Sequence, residues 1–177
     1  MTAIARRLGP VLSTALILVL AAVVFAALAG WSWASAPRVP SEAQLRDQAL
    51  RAGEQAVLNF NTLDYRHVSA GLRLWEESST GALHAQITSG ATTFARQIAA
   101  AATVTTARIL DGALTSLNVQ NGTADLIVAI EITVTPAKGT ADVKQSRLEG
   151  VLTRTSSGWK LSSLSQVPVQ PAAGSKG

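Results

Sequence analysis

The sequence predicts an α+β protein: one N-terminal transmembrane helix, then a domain in which three helices pack on a curved, four-stranded antiparallel sheet. Three observations predict it. No charged residue occurs between Arg7 and Arg38. From Leu45 to Ile98 apolar residues recur every three or four positions, the helical period. After Thr103 they alternate singly, one face apolar and the other polar, as in an antiparallel sheet with one side in water.

The uncharged gap accounts for the mean hydropathy of +0.25 and the 47% hydrophobic content. Its core runs from Val11 to Trp33. At helical rise that stretch covers roughly 34 Å, enough to cross a hydrocarbon layer ~30 Å thick. Arg6 and Arg7 precede it with no acid among residues 1–10, which holds the N-terminus in the cytoplasm and puts the rest of the chain outside. Trp31 and Trp33 stand where the helix leaves the membrane, and Pro37 and Pro40 end it, so residues 34–41 form a linker. A cleaved secretory signal is the competing reading, with Ala27-Leu28-Ala29 or Ala34-Ser35-Ala36 at the cut. Against it, the apolar run exceeds the roughly 7–15 residues of a signal core.

A chain of 177 residues leaves room for one further domain. With no cysteine, it has no disulfide, zinc–thiolate site or thiol nucleophile. The net charge is +4, of which Arg6 and Arg7 supply two; the remainder is spread along the chain rather than gathered on one face, which argues against a nucleic-acid partner.

Ser41 and Gln44 form a capping-box pattern, and Leu45, Ala49, Ala52, Ala56 and Phe60 follow at helical spacing, giving a first helix over about 42–60. A second runs from Val68 to Thr80 and stops at Ser78-Ser79-Thr80-Gly81. A third spans Ala82 to Ala101, with Leu83, Ile87, Ala91, Phe94 and Ile98 on one face; Gly90 weakens it by about 1 kcal/mol relative to alanine. Four strands then begin near Val104, Thr123, Asp142 and Trp159. In the second, Leu126, Val128, Ile130, Ile132 and Val134 face one way. Asn121-Gly122 predicts a type I′ hairpin, and Gly112 a bulge. The domain ends near residue 168, and 169–177 read as a disordered tail. Helices first and a strand meander afterwards is the element order of the NTF2-like cone.

The stretch Leu58 to Leu72 gathers most of the residues able to do chemistry. A cone can host proton abstraction when a carboxylate base and a tyrosine converge on a buried carbonyl. On a helix, however, Tyr65 lies about 100° from Asp64, while Asp64 and His67 share a face. The structural alternative is that Asp64 caps the following helix, Tyr65 buries its ring and hydrogen-bonds its hydroxyl, and Asn59 and Asn61 tie down the corner. His84 stands alone, so no metal set is expected. Trp75 and Trp159 read as core anchors. No phosphate-binding or nucleophile-elbow motif occurs, and neither a cofactor nor catalytic residues are expected.

Taken together, the N-terminal span, the segment Asn59-Phe60 with Thr62-Leu63-Asp64-Tyr65, and the closing Gly158-Trp159-Lys160-Leu161 resemble the Mce-associated membrane proteins of actinobacteria. The resemblance covers Arg6 to Val167. It implies a non-enzymatic accessory protein of a mammalian-cell-entry (Mce) lipid transport system, in the cell membrane, with Mce proteins, permease subunits and membrane lipid as partners. It also implies an architecture similar to the periplasmic assembly proteins of type IV secretion. Two alternatives stand beside it: a lipid- or sterol-binding module with a cavity between sheet and helices, and a cone-shaped isomerase or hydrolase using Asp64 and Tyr65.

Overall fold

The computed structural model describes residues 40–167. The cytoplasmic segment 1–10, the span over 11–33, most of the linker and the tail all lie outside the described residues. No helix among those described is long and apolar enough to cross a membrane.

Helix α1 (Glu42–Asn61) begins at the expected capping box: the Ser41 hydroxyl accepts from the Gln44 amide, and the Gln44 side chain accepts from the Ser41 amide. Both contacts satisfy N–H groups that the first helical turn leaves orphaned. Leu45, Ala49, Gly53, Ala56 and Val57 form its buried stripe. The chain then turns extended at Thr62 into a two-residue strand, β1 (Leu63–Asp64). Helix α2 (Val68–Ser78) follows, and Ser79 bridges in parallel to Leu161 before α3 (Gly81–Ala101). The glycine expected to stop α2 instead opens α3, at a φ of +59°. At the other end of α3, Ala102 adopts the left-handed conformation (φ +49°) and its amide closes back on the Ile98 carbonyl.

Strands β2 (Thr103–Asn118), β3 (Thr123–Pro136), β4 (Asp142–Thr155) and β5 (Gly158–Gln166) complete an antiparallel sheet in the order β1-β2-β3-β4-β5. It therefore has five strands, not four. β1 pairs Leu63 with Thr105 and Asp64 with Val104, a contact too short to leave a period in the sequence. The register of β2 slips at Leu110 and at Thr115, so the bulges flank Gly112 rather than fall on it. Gly112 is small for another reason: a Cβ there would run into the Glu54 carboxylate of α1. The hairpin between β2 and β3 also differs from type I′. Its loop holds four residues, Val119 to Gly122, only Gly122 has positive φ, and the Asn118 side chain accepts from the Asn121 amide.

Ala124, Leu126, Val128, Ile130 and Ile132 of β3 are buried together with Leu148 and Leu152 of β4 and Trp159 and Leu161 of β5. All point to the helix side, where α1 lies on β2 and β5. Among the described residues the buried core runs from Leu45 to Leu161. The domain from Pro40 onward thus carries its own core. Gly158 enters β5 at a φ of +108°, and the Trp159 indole N–H, deep in that core, has no hydrogen-bond partner among the described residues.

Candidate functional site

The last turn of α1, strand β1 and the start of α2 meet at one corner of the cone. Asn59 fastens it with three hydrogen bonds. Its Nδ2 donates to Ser78 Oγ at 2.7 Å, its Oδ1 accepts from Gln55 at 2.9 Å, and its backbone carbonyl accepts from Trp75 Nε1 at 2.9 Å. The bonds to Ser78 and from Trp75 hold α2 against α1, with the Trp75 ring stacked on Phe60, 5.5 Å between centroids and 7° between planes. Phe94 of α3 meets Trp75 edge-on at 6.3 Å, which extends the cluster to all three helices. Asn61 donates back to the Val57 carbonyl at 2.8 Å and satisfies the end of α1.

Strand geometry then separates Leu63 from Asp64, because neighbouring side chains point to opposite faces. Leu63 turns inward, with its methyl against Gly71. Asp64 turns outward and takes the Arg66 amide at 2.9 Å and the Arg66 guanidinium at 2.7 Å, with His67 Nδ1 3.5 Å away. The side-chain and backbone hydrogen bonds from Arg66 hold this carboxyl well below the usual carboxylate range. Asp64 therefore does not cap α2; the N-cap is His67, without a side-chain bond. Tyr65 is half-buried, and its amide donates to the Thr103 carbonyl. Its hydroxyl makes no hydrogen bond among the described residues, and the Arg66 guanidinium lies 5.9 Å from its ring centre.

Inside the corner a cavity of about 260 Å³ opens at the mouth of the cone. Phe60, Leu63, Trp75, Ile132 and Val134 form its walls, and Lys144, Thr105 and Asn61 its polar rim. Asp64 and Tyr65 do not line it, so carboxylate and phenol do not converge on this cavity and the isomerase alternative lacks its geometry. Trp75 lines the mouth instead of filling the core, while Trp159 is buried. Of the lining residues, Val134 was expected only as part of the apolar face of its strand, and neither Lys144 nor Thr105 was singled out by the sequence. One signal was present: Lys144 sits at an even-numbered position of β4, in phase with the inward Leu148 and Leu152, where a charge is unusual.

The opposite face of the sheet carries no helix among the described residues. Leu110, Ile127 and Val143 are exposed on it; the depressions around Ala129 and Arg147 include Asp111, and a separate one beside Ile127 and Val151 includes Asp125 and Glu149. Arg108 and Glu131, paired across β2 and β3, meet at 2.8 Å. No cluster of three or more metal-ligating side chains occurs among the described residues.

A family model described as "Uncharacterized protein Rv1363c/MT1408-like" matches residues 10–168. No curated protein matches the sequence. Several solved structures share its shape. The periplasmic domain of DotI superposes with a TM-score of 0.59 at 16% identity, over 75% of this chain and 99% of that one. CagV of Helicobacter pylori, a VirB8 homologue of a type IV secretion system, gives 0.52 at 13%, over 68% and 96%. An NTF2-like superfamily protein of Salmonella enterica gives 0.55 at 9%, over 77% and 99%. At such identities these likenesses establish the fold, an NTF2-like α+β cone of three helices and a curled antiparallel sheet.

Proposed function

This chain belongs to the Rv1363c/MT1408-like family, and from that premise we propose that it is a non-enzymatic accessory protein of an Mce lipid transport system. In this reading residues 11–33 anchor it in the cell membrane, and residues 42–168 form an extracytoplasmic module that stabilises or assembles the transporter. The observation that carries the proposal is the outer face of the sheet, which no helix among the described residues covers. Leu110 and Ile127, two of the five large hydrophobic side chains exposed among the described residues, stand there beside depressions, and Val143 lies on the same face further along β4. Apolar side chains grouped within a polar rim are what a protein partner buries. The resemblance of the fold to CagV, a VirB8 homologue of a type IV secretion system, and to the periplasmic domain of DotI supports an extracytoplasmic assembly role.

The test is co-purification of the full chain in mild detergent from its native membrane. Mce proteins or their permease subunits should accompany the wild type. Ile127→Asp, at a position 37% exposed, should cut the recovered partner by about fivefold or more, as expected for a contact inside an interface, without lowering the melting temperature. If the wild type brings down none of these subunits, the transporter reading fails. If Ile127→Asp recovers them in full, the outer face is not the contact.

A further inference from the structure

The cone mouth differs from the depressions on the outer face in what lines it. Of those on the outer face, one carries Asp125 and Glu149, one has both Asp111 and Arg147, and one has Arg147 beside Gln145, Ser146 and Gln166, with Leu110 as its one large apolar side chain. The mouth has five large apolar walls and one charge, Lys144. Of the walls only Ile132 is buried; Phe60, Leu63, Trp75 and Val134 all remain half-exposed. They stay so because α3 packs on α2 and β5 rather than over β2 and β3, so this end of the sheet is left without a roof. Lys144 makes no ion pair among the described residues; Asp142, the other charge on the same face of β4, is exposed and does not line the mouth.

Each half of this arrangement selects one half of a ligand. Apolar walls favour a hydrocarbon, at roughly 25 cal/mol for each Å² removed from water. An ammonium on a flexible stem at the rim favours an anionic head that itself stays near solvent. The volume, about 260 Å³, favours one hydrocarbon shape. It falls below the ~300–1,000 Å³ typical of sites for drug-sized molecules, which suits the end of an unbranched chain better than a four-ring sterol. We propose that the cone mouth binds a single-chain amphiphile with a carboxylate head, a medium-chain fatty acid, its chain between Trp75 and Val134 and its carboxylate on Lys144. This site is independent of the outer face, and the proposal goes beyond the assembly role.

The test is calorimetric titration of the domain spanning residues 40–177 with sub-micellar dodecanoate, and with dodecan-1-ol as the uncharged control. The expected result is saturable binding of one dodecanoate, weakened at least tenfold by Lys144→Glu and abolished by Val134→Phe, which fills the mouth. Lys144 is exposed and Val134 half-exposed, so both variants should keep the wild-type melting temperature. Dodecan-1-ol should bind wild type and Lys144→Glu alike. No saturable dodecanoate binding, or binding unchanged in either variant, overturns the proposal. So does a loss of dodecan-1-ol binding in Lys144→Glu, since charge would then not be what Lys144 contributes.

Discussion

Asp64 and Tyr65 are neighbours in the sequence with opposite consequences for stability. The Asp64 carboxylate accepts from the Arg66 amide and guanidinium and is ordered by both. Its folded-state pKa is depressed, chiefly by the hydrogen bond from the Arg66 side chain, below the usual 3.8 that the unfolded chain retains. The sign follows: the unfolded chain takes up a proton first, so the stabilisation is complete well above pH 3.8 and fades as pH falls below it towards the folded value. Asp64→Asn should therefore lower the melting temperature at pH 7 by a margin that shrinks at pH 3. Thermal melts of both proteins at the two pH values check it, and an equal or larger margin at pH 3 would refute the linkage. Because this pair is partly exposed, salt should also narrow the margin at pH 7. Tyr65→Phe removes a hydroxyl that bonds nothing among the described residues and keeps the ring beside Arg66. It should leave the melting temperature unchanged, where a buried, bonded hydroxyl would have made the substitution costly.

Within an element, general helix propensity and local space can disagree, and α1 shows which wins. Gly53 occupies the interior of that helix, where alanine is ordinarily favoured by about 1 kcal/mol. It also faces the sheet. A Cβ there would sit 2.7 Å from Leu126 Cδ2 and 3.0 Å from Leu152 Cδ1, and both side chains are fully buried in the core. Displacing them is overpacking, which costs about 1–3 kcal/mol. The second effect is the larger, so Gly53→Ala should lower the melting temperature by a few degrees in calorimetry; a gain would show that the leucines yield without strain. Gly90 of α3 answers the same logic with a different neighbour. Its missing Cβ leaves room for the Phe94 ring, 2.6 Å from where that atom would stand, and Phe94 in turn meets Trp75 edge-on. The glycine that weakened the third helix in the sequence permits the aromatic cluster behind the cone mouth.

At the scale of the whole molecule, what the sequence made legible was whatever repeats. Three helices and four long strands each hold a period for many residues, and the inward set Leu126, Val128, Ile130 and Ile132 could be read off directly. What it hid depends on pairing between distant segments. Strand β1 has two residues and exists only through Thr105 and Val104. The slips at Leu110 and Thr115 are set by the partner strand, and the cone mouth is assembled from α1, β1, α2, β2, β3 and β4. The capping box, a local pattern, was legible; the Asn121-Gly122 turn, also local, was misjudged because Asn118 caps a longer loop. This topology also leaves a hazard. Past its two pairs with β1, β2 runs from Thr106 to Asn118 with no strand among the described residues on its outer side, and open edges invite pairing with other chains. Two bulges interrupt that edge, and Arg46 of α1 reaches across to donate at 2.8 Å to the Leu114 carbonyl, beside the second bulge. If Arg46 guards the edge, Arg46→Ala should raise the weight-average mass of the domain in sedimentation at matched concentration, with its strand signal in circular dichroism unchanged. Equal masses for the two proteins would assign the protection to the bulges alone.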